Sequence, residues 1–563
     1  RPPSDHHPTT IRPPSDHRSP AIPPVRPCAF SLSRPVSLSR PCAIPLTAPR
    51  PAPPQPALPD VFFVALGFLD ITPSMQEEWE ADTTQYLLDE DDDSFSVSVR
   101  VAAQQLIDEL VDAFDSTALP ALCVAAQRRM QHAQEIRAAS SPHWWRTRES
   151  VLLGLSIAAE PLCRLAAKAR RKASAPPPPL RPDDLLTEIA ADVQPDAPAL
   201  LRGRALCTAA RFSGGGSSSA LAPFLHATLA ALQPQEAPHL RCAAARAVLC
   251  LCGNAPDALL APAVPALLPA MTSLLPCPSE DGTLLVLETL NNLLPLNPAA
   301  AAAAEPWLTT LLLQLWSDGH DDNIAASAIV DVFGCLARAP GALEGLVSKL
   351  LPALAQVFAL QEASAAERAR ETAMRAASGL CPVDEAGEEA VVEPLLPGLE
   401  LLDKTILKHW PHNEPLPAAS NGLLAALLRV VSAAADPEVI RVGISCLRRF
   451  VLRGALRESG PEPSAWLAAI GRLLRPTMPE EVVEHVPPLA SAILQSEPAA
   501  YAAWHAELIG PLMAWLRRAS MFGIKQATLV LCSQVWRGGA EWGEARRGGG
   551  EARRDGPHWD GAR

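Results

Sequence analysis

Tyrosine occurs only twice among the 563 residues, and all aromatic residues together make up 5% of the chain. Strands favour aromatic and β-branched side chains, whereas alanine and leucine, which dominate here, favour helices. The sequence also lacks an apolar run of about 20 residues that is free of charges and helix breakers, which a membrane span requires. We therefore predict an all-α protein with no membrane span and no membrane partner.

The sequence patterns of common catalytic sites are also missing. There is no G-x-S-x-G turn, no G-x-x-x-x-G-K-[ST] phosphate loop, no H-E-x-x-H zinc motif and no G-x-G-x-x-G after a strand. The glycines at residues 214–216 are followed by serines, with no lysine to meet a phosphate. We predict no catalytic residues, no enzyme activity and no cofactor.

Thirteen cysteines are scattered through apolar stretches without any C-x-x-C pair. This usage is typical of small buried side chains in a reducing compartment, and it argues against a disulfide framework or a zinc site. Asp318, His320, Asp321 and Asp322 form a polar cluster at a predicted turn, where we interpret them as helix caps. We therefore predict no metal site.

The formal net charge is −13, from 61 acidic and 48 basic residues. A strongly acidic protein repels phosphate backbones, so we predict no direct nucleic-acid binding. Basic proteins are the partners that this charge favours.

The two ends of the chain differ in composition from its middle. Residues 1–59 are rich in proline, serine and arginine, and residues 537–563 are rich in glycine and arginine. Such segments bury too little apolar surface to offset chain entropy, so we predict that both are disordered and that residues 60–536 form the folded part. The chain begins with Arg1 rather than Met, and we expect a fragment or an imperfect gene model.

Helical hairpins recur at intervals of about 40 residues, the length of a two-helix solenoid repeat. Arg241, Gly282 and Asn323 hold equivalent places before successive second helices, each 41 residues after the last. The pattern predicts an α-solenoid with an extended concave surface. The predicted helix pairs are 221–232 with 240–252, 259–275 with 284–294, 307–316 with 324–337, 346–360 with 365–380, 423–434 with 439–451, and 501–516 with 522–535.

An acidic run and a tandem tryptophan are the candidate binding features. Nine carboxylates lie within residues 77–93, and the run itself consists of Asp89, Glu90, Asp91, Asp92 and Asp93. Exposed carboxylates in a cluster attract a Lys- and Arg-rich partner collectively. We predict that the run binds a basic partner, while a solvated loop that only aids solubility remains the alternative.

Trp144 and Trp145 lie about 100° apart on one helix, so they do not both face the core. We expect one to pack between repeats and the other to lie near the surface. Either tryptophan is a candidate contact for a partner, with packing of both as the alternative.

Three stretches resemble the karyopherin-β (importin-β) family of HEAT-repeat nuclear transport receptors. They are residues 79–104 with the acidic run, His143-Trp144-Trp145 with Glu149, and residues 201–206. The resemblance extends over residues 70–535 and is most specific in residues 75–215. It implies a HEAT-repeat superhelix.

The resemblance also implies a function. It implies import through FG-repeat nucleoporins, release of cargo by Ran-GTP and shuttling between cytoplasm and nucleus. The branch that these stretches resemble carries basic cargo such as core histones and ribosomal proteins. The family's amino-terminal repeats, which supply most of its Ran contacts, would precede Arg1. We predict a nuclear import receptor, with a HEAT-repeat scaffold or assembly-factor subunit as the alternative.

Overall fold

The computed structural model describes residues 57–90, 98–171, 177–275, 279–318, 323–377, 395–411, 414, 417, 420, 422–453, 461–496 and 501–547. All of them fall within one compact unit, Gln55–Arg563. Across these ranges every regular element is a helix, and no strand occurs. The predicted all-α solenoid class is confirmed.

The amino-terminal half of the unit contains thirteen α-helices that the structure describes. They are α1 (Leu58–Phe68), α2 (Pro73–Ala81), α3 (Thr83–Asp89), α4 (Val99–Ala138), α5 (Trp144–Ile157), α6 (Ala159–Arg171), α7 (Pro182–Ile189), α8 (Ala199–Arg211), α9 (Ser218–Ala231), α10 (Pro238–Asn254), α11 (Asp257–Leu260), α12 (Val264–Thr272) and α13 (Glu280–Leu293).

The remaining helices continue the same pattern, with a 3-10 turn at Leu294–Leu296 and a π-helix at Leu401–Leu407. They are α14 (Pro298–Asp318), α15 (Asn323–Ala337), α16 (Ala342–Ala377), α17 (Leu395–Glu400), α18 (Leu423–Ala433), α19 (Pro437–Leu452), α20 (Pro463–Leu473), α21 (Glu480–Val483), α22 (Val486–Ser496), α23 (Tyr501–Arg518) and α24 (Phe522–Arg547).

Two rows of helices run side by side along the unit. In the first-helix row, α9, α12, α14, α16, α18, α20 and α23 each pack on the next. In the second-helix row the order is α5, α8, α10, α13, α15, α17 with its π-helix, α19, α22 and α24. Because a single hairpin cannot cover its own apolar face, the stacked hairpins share one continuous core from Leu58 to Val535.

Polar side chains begin several helices at the predicted turns. Ser279 accepts a hydrogen bond from the amide of Gly282 at 3.4 Å, and Asp436 accepts one from the amide of Glu438 at 2.8 Å. These caps satisfy amides that have no partner within the helix. Helices α13 and α19 therefore begin at Glu280 and Pro437, slightly before the predicted starts at 284 and 439. Residues 319–322 lie outside the described ranges.

The prediction of two helices over 346–360 and 365–380 is wrong. The structure has a single helix, α16, that runs to Ala377, and the next member of the second-helix row is α17 with its π-helix. The physical reason lies in residues 361–366, Gln-Glu-Ala-Ser-Ala-Ala, which contain no glycine or proline to end a helix. The prediction relied only on the repeat spacing of about 40 residues, and it assigned a turn to residues that favour a continuous helix.

One described stretch has the length and composition of a membrane span. It contains Glu344, Lys349 and Pro352, so it is not the uninterrupted apolar run that the sequence lacks. By length and composition alone, the 19 residues Ala342–Leu360 could cross a membrane, and two bent helix pairs would also qualify if each counted as one span. In this fold, however, Leu346, Val347 and Leu350 are buried in the shared core. Apolar content here serves packing between the two rows.

The predicted limits of the folded part stay predictions, because residues 1–56 and 548–563 lie outside the description. Two observations adjust the limits themselves. Helix α1 begins at Leu58, just before the predicted start, and α24 continues to Arg547, past the predicted start of the tail. Helix formers such as Ala540, Glu541 and Glu544 follow the glycines at 538 and 539.

Helices α8 and α10 approach closely at Gly203, and a substitution there tests the packing of the second-helix row. A Cβ atom on Gly203 would lie 2.7 Å from the Cβ atom of Ala243. We expect Gly203→Ala to lower the free energy of unfolding by about 1–3 kcal/mol, measured by urea denaturation. The control is Gly253→Ala on α10, where a Cβ meets nothing within 4 Å, and there we expect a gain of up to about 1 kcal/mol. Equal effects of the two substitutions would contradict the close approach.

Candidate functional site

The acidic segment, residues 73–90, folds back onto the second-helix row. It consists of α2 and α3, whose first turns are capped by Thr72 and Asp82. Helix α2 packs on α10, and α3 packs on both α10 and α13. The segment therefore contacts repeats that lie more than 150 residues further along the chain. Arg246 of α10, for example, donates hydrogen bonds to the backbone oxygens of Glu90 and Leu87.

Trp79 fixes the segment from within. Its side chain is 1% exposed, its ring meets that of Tyr86 edge-on with centroids 5.4 Å apart, and the guanidinium carbon of Arg100 lies 5.6 Å from its ring centroid. The indole Nε1 donates a hydrogen bond to Asp89 Oδ2 at 2.8 Å, and Gln85 Nε2 donates to Asp89 Oδ1 at 2.9 Å. The Asp89 carboxylate is therefore engaged inside its own segment.

Glu90 occupies the centre of a buried ion-pair cluster, and its side chain is only 8% exposed. Arg100 Nη2 lies 3.2 Å from Glu90 Oε1, and Arg204 Nη2 contacts Glu90 Oε2. Glu149, 1% exposed, accepts from both arginines, with Arg100 Nη2 at 2.7 Å and Arg204 Nε at 2.7 Å from its Oε1. Two carboxylates thus bridge two guanidiniums from α4 and α8.

A third arginine holds the backbone of the same segment. Arg246 of α10 donates through Nη1 to the Glu90 carbonyl oxygen and through Nη2 to that of Leu87 at 2.8 Å. We call the group of Glu90, Glu149, Arg100, Arg204 and Arg246 the arginine clamp. Because its members come from α4, α5, α8, α10 and the end of α3, the clamp joins several repeats at one point.

The clamp sets the ionisation of its members. Burial by itself raises the pKa of Glu90, but the guanidiniums of Arg204, Arg100 and Arg246 outweigh burial and hold that pKa below its usual value. Burial lowers the pKa of Arg204, and the carboxylates of Glu90 and Glu149 reverse this, so its pKa is raised well above the ordinary arginine value. The directions of these two pKa shifts keep Glu90 and Arg204 charged at neutral pH.

The clamp also joins the described residues that stand on either side of residues 91–97. Glu90 stands directly before residues 91–97, and Arg100, paired with Glu90, lies in the first turn of α4. Ser98 caps that helix, accepting from the Val101 amide at 3.1 Å. Asp91, Asp92 and Asp93 lie outside the described residues, but the residues on either side of them are tied together.

A groove of about 540 Å³ opens beside the clamp. Its wall is formed by the end of α3 and by one face each of α5, α8, α10 and α13 in the second-helix row. Arg204, Arg246 and Glu90 line it together with leucines, while Asp281 and Glu288 of α13 contribute exposed carboxylates. The acidic segment thus borders a cavity that is both apolar and charged.

No family model matches the chain. Importin-9 of Drosophila melanogaster is 23% identical to it over 326 residues, which make up 55% of this chain and 30% of that protein. The chain therefore matches about 30% of the length of this curated relative.

Solved structures give a weaker likeness. A crystal structure of Kap121p is 15% identical, with a TM-score of 0.42, and covers 88% of this chain and 49% of its own. A structure of Kap95p with RanGDP is 10% identical, with a TM-score of 0.43, and covers 85% of this chain and 61% of its own. Both TM-scores are below 0.5, so the likeness to a known protein rests on the sequence match to Importin-9.

The resemblance to the karyopherin-β family is confirmed. In this karyopherin-like chain, the structure divides the predicted site residues into three groups. Asp89 and Glu90 face partners of their own chain, Asp91 to Asp93 are outside the described ranges, and the tryptophans lie at the head of α5. Binding of a partner by residues 89–93 stays a prediction, and Glu90 has a role within the fold.

The two tryptophans differ in burial, as the sequence predicted. Trp145 is 6% exposed within the core, whereas Trp144 is half-buried with the guanidinium carbon of Arg137 4.3 Å from its ring centroid. Trp144 thus lies nearer the surface than Trp145 with a cation on one side of its ring, yet it also packs against the shared core, as the alternative of packing by both tryptophans expected. Its contact with a partner remains a prediction.

Sequence reasoning missed the clamp. Arg100, Glu149 and Arg204 all stood in the stretches that resemble the family, yet nothing in their spacing showed that they meet. The available signal was the position of Glu149 just before the mainly apolar second half of α5, because buried charges require partners.

The described cysteines lie mostly in the interior. None of the nine forms a disulfide, and burial raises the pKa of Cys207 to about 11 and that of Cys123 to about 12. No group of three or more histidine, cysteine or carboxylate side chains within these ranges is placed to hold a metal ion.

Neutralising one buried carboxylate tests the clamp. We expect Glu149→Gln to lower the free energy of unfolding by about 3 kcal/mol, because Arg100 and Arg204 lose a shared buried counter-charge. The matched control is Glu438→Gln, which removes an exposed partner of Arg441 and is expected to cost less than about 1 kcal/mol. Urea denaturation measures both. A Glu149→Gln loss no larger than the control would contradict a buried network.

The pH dependence of stability tests Glu90 separately. Its pKa in the fold is lower than the unfolded value of about 4.3, so its stabilisation is complete above that value and is lost as pH falls through the folded pKa. We expect the difference in free energy of unfolding between the unaltered chain and Glu90→Gln to stay constant above about pH 5 and to shrink below it. A difference that grows on acidification would contradict the assignment.

Proposed function

We propose that this chain is part of a nuclear import receptor that captures basic protein cargo. The sequence likeness to Importin-9 supports this proposal, since that protein is named as an import factor. The match spans only 30% of that protein. The activity and partners of the whole protein are therefore part of the proposal for this chain.

The observation that carries the proposal is the placement of the acidic segment on the second-helix row. Glu77 and Glu78 of α2 are exposed, while Trp79 between Glu78 and Glu80 is buried. The buried tryptophan holds the helix down and leaves these carboxylates facing solvent. Asp91, Asp92 and Asp93 follow Glu90 in the sequence and add three carboxylates to those of α2.

A clustered negative charge suits a receptor that wraps its cargo. Each exposed ion pair contributes about 0.2–1 kcal/mol, so several are needed for useful affinity. A charge cluster also raises the rate of encounter with a basic protein, and this effect weakens with salt. Fixed carboxylates lose less side-chain freedom on binding than a free tail would.

The partners in this proposal follow from the family. The cargo is a basic protein such as a core histone or a ribosomal protein, FG-repeat nucleoporins carry the complex, and Ran-GTP releases it. The receptor shuttles between cytoplasm and nucleus. Release requires Ran-GTP to bind a conformation of the solenoid that holds cargo weakly.

Histone binding tests the proposal. We expect the chain to bind a core-histone dimer with an affinity that falls as salt rises, measured by fluorescence anisotropy. Replacing Glu77, Glu78, Asp91, Asp92 and Asp93 by their amides is expected to weaken binding about tenfold or more, because several ion pairs are lost.

The control variant neutralises the same number of exposed carboxylates on α4, α15 and α16, as D108N/E109Q/D112N/D331N/E344Q. It has the same net charge, so it should keep affinity within about twofold of the unaltered chain. Equal weakening by both variants would remove the acidic segment from the binding site. Histone binding by a chain that does not bind FG-repeat peptide would indicate a scaffold instead.

A further inference from the structure

The turn between α23 and α24 carries a short basic motif directly ahead of a serine. Arg517 and Arg518 end α23, Ala519 follows, and Ser520 stands two residues before α24 begins at Phe522. The pattern Arg-Arg-x-Ser occurs nowhere else among the 563 residues. Protein kinases distinguish substrates by the charges around the acceptor hydroxyl, and two arginines just before it suit a kinase whose binding site is acidic.

Most of this motif faces solvent. Arg517, Arg518 and Ser520 are exposed, and so is Met521, the apolar residue that follows the serine. Ala519 alone is buried, with 2% of its surface exposed. A kinase can therefore contact both arginines on the folded chain, but an extended segment forms only when the last turn of α23 opens. Such local opening is easiest where few apolar contacts hold the backbone.

Glu480, the first residue of α21, holds the turn closed. Its carboxylate accepts a hydrogen bond from Ser520 Oγ at 2.7 Å, from the Ser520 amide at 3.0 Å and from the Met521 amide at 3.2 Å. Glu480 lies ahead of α22, and Ser520 lies 40 residues further on, ahead of α24. These hydrogen bonds therefore join equivalent ends of neighbouring repeats.

The Ser520 hydroxyl faces negative charge from the neighbouring repeat. Besides Glu480, Glu484 lies close to the start of α24, since a Cβ atom on Gly523 would be 3.0 Å from Glu484 Oε1. Hydrogen bonds from the Ser520 amide and hydroxyl lower the pKa of Glu480, so that carboxylate is charged at neutral pH. A phosphate on Ser520 would carry about −1.5 to −2 charges and would have no hydroxyl proton to donate to Glu480. The two groups would repel each other.

We propose that Ser520 is a phosphorylation site for an arginine-directed serine/threonine kinase, and that its phosphate releases the turn from Glu480. The kinase transfers the terminal phosphoryl group of a nucleoside triphosphate. A bond forms between Ser520 Oγ and that phosphorus, the bond from the phosphorus to the bridging oxygen breaks, and the nucleoside diphosphate leaves with the electron pair. The hydroxyl proton passes to a base of the kinase. This modification requires no cargo, so it goes beyond the proposed function and is tested without it.

Opening of the turn and phosphorylation favour each other. The kinase acts on the open turn, and the modified serine no longer makes the hydrogen bond that closes it. The start of α24 then loses its polar link to α21. The phosphate thus weakens the connection between the hairpin of α23 and α24 and the repeat before it.

Phosphorylation of the full chain tests the acceptor site. The probe is the catalytic subunit of cyclic-AMP-dependent protein kinase with ATP, and mass spectrometry follows the phosphate on Ser520 alone. We expect R517Q/R518Q to lower the initial rate at Ser520 about tenfold or more, because two charge-assisted contacts with the kinase are lost. The control R181Q/R475Q removes two exposed arginines elsewhere and should leave the rate unchanged. Absence of phosphate on Ser520 of the unaltered chain, or equal rates in the two variants, would overturn the inference.

Removal of the Glu480 carboxylate tests the closed turn. We expect E480A to raise the initial rate at Ser520 about threefold or more, because the hydroxyl and the turn are released. The control E481A removes the exposed carboxylate of the next residue, with the same change in net charge, and should alter the rate less than about twofold. Circular dichroism confirms that both variants are folded. A rate in E480A no higher than in E481A would show that Glu480 does not hold the turn.

Amide hydrogen exchange measures what the phosphate does. In the unaltered chain we expect phosphorylation to speed exchange of the Ser520 and Met521 amides about tenfold or more, since both donate to Glu480. In E480A the same phosphate should change their exchange less than about threefold, because those hydrogen bonds are already lost. Equal changes in the two chains would contradict release from Glu480.

Discussion

The ionic contacts of Glu90 with Arg100 and Arg204 are the constraint on which the candidate site depends. They lie in a place that is nearly closed to water, where charges are costly unless they are paired. Glu149 pairs with the same two arginines, so each of these two guanidiniums has two carboxylate partners. Because Arg246 also holds the backbone of Glu90, one short stretch is fastened to three helices of the stack. Its position is therefore set by electrostatics as much as by apolar packing.

This arrangement differs from the usual pattern of contacts between repeats in a solenoid. In such proteins each repeat contacts its neighbours, so distant repeats influence one another only through the intervening ones. Here the acidic segment lies across α10 and α13 and fastens to α4 and α8 as well. It thereby links several members of the second-helix row directly. A partner that binds the exposed acids of the segment is thus connected to the packing of four repeats.

The period of about 40 residues predicted the helix pairs because apolar faces must stack, and α13, α15 and α19 begin close to the predicted positions. It failed over α16, where an even spacing suggested a turn but residues 361–366 continue a helix. Two features of the candidate site could be predicted from the local sequence pattern. They are the acidic run and the different burial of Trp144 and Trp145. The arginine clamp was not, because the pairing of Glu90 with Arg204 joins residues 114 positions apart and only the stacking of repeats brings them together. Long-range contacts of this kind leave no periodic trace in one sequence.

The central claim is that buried ion pairs hold the acidic segment on the second-helix row. The most direct test compares amide hydrogen exchange of the unaltered chain with that of the Arg204→Met variant. The account predicts that amides of residues 75–90 lose protection in the variant, because Glu90 loses one of its two guanidinium partners. Helices α18 and α19, which lie outside the contacts of the segment, should keep theirs. Unchanged protection of residues 75–90 would contradict the claim, since apolar packing alone would then suffice to hold the segment in place.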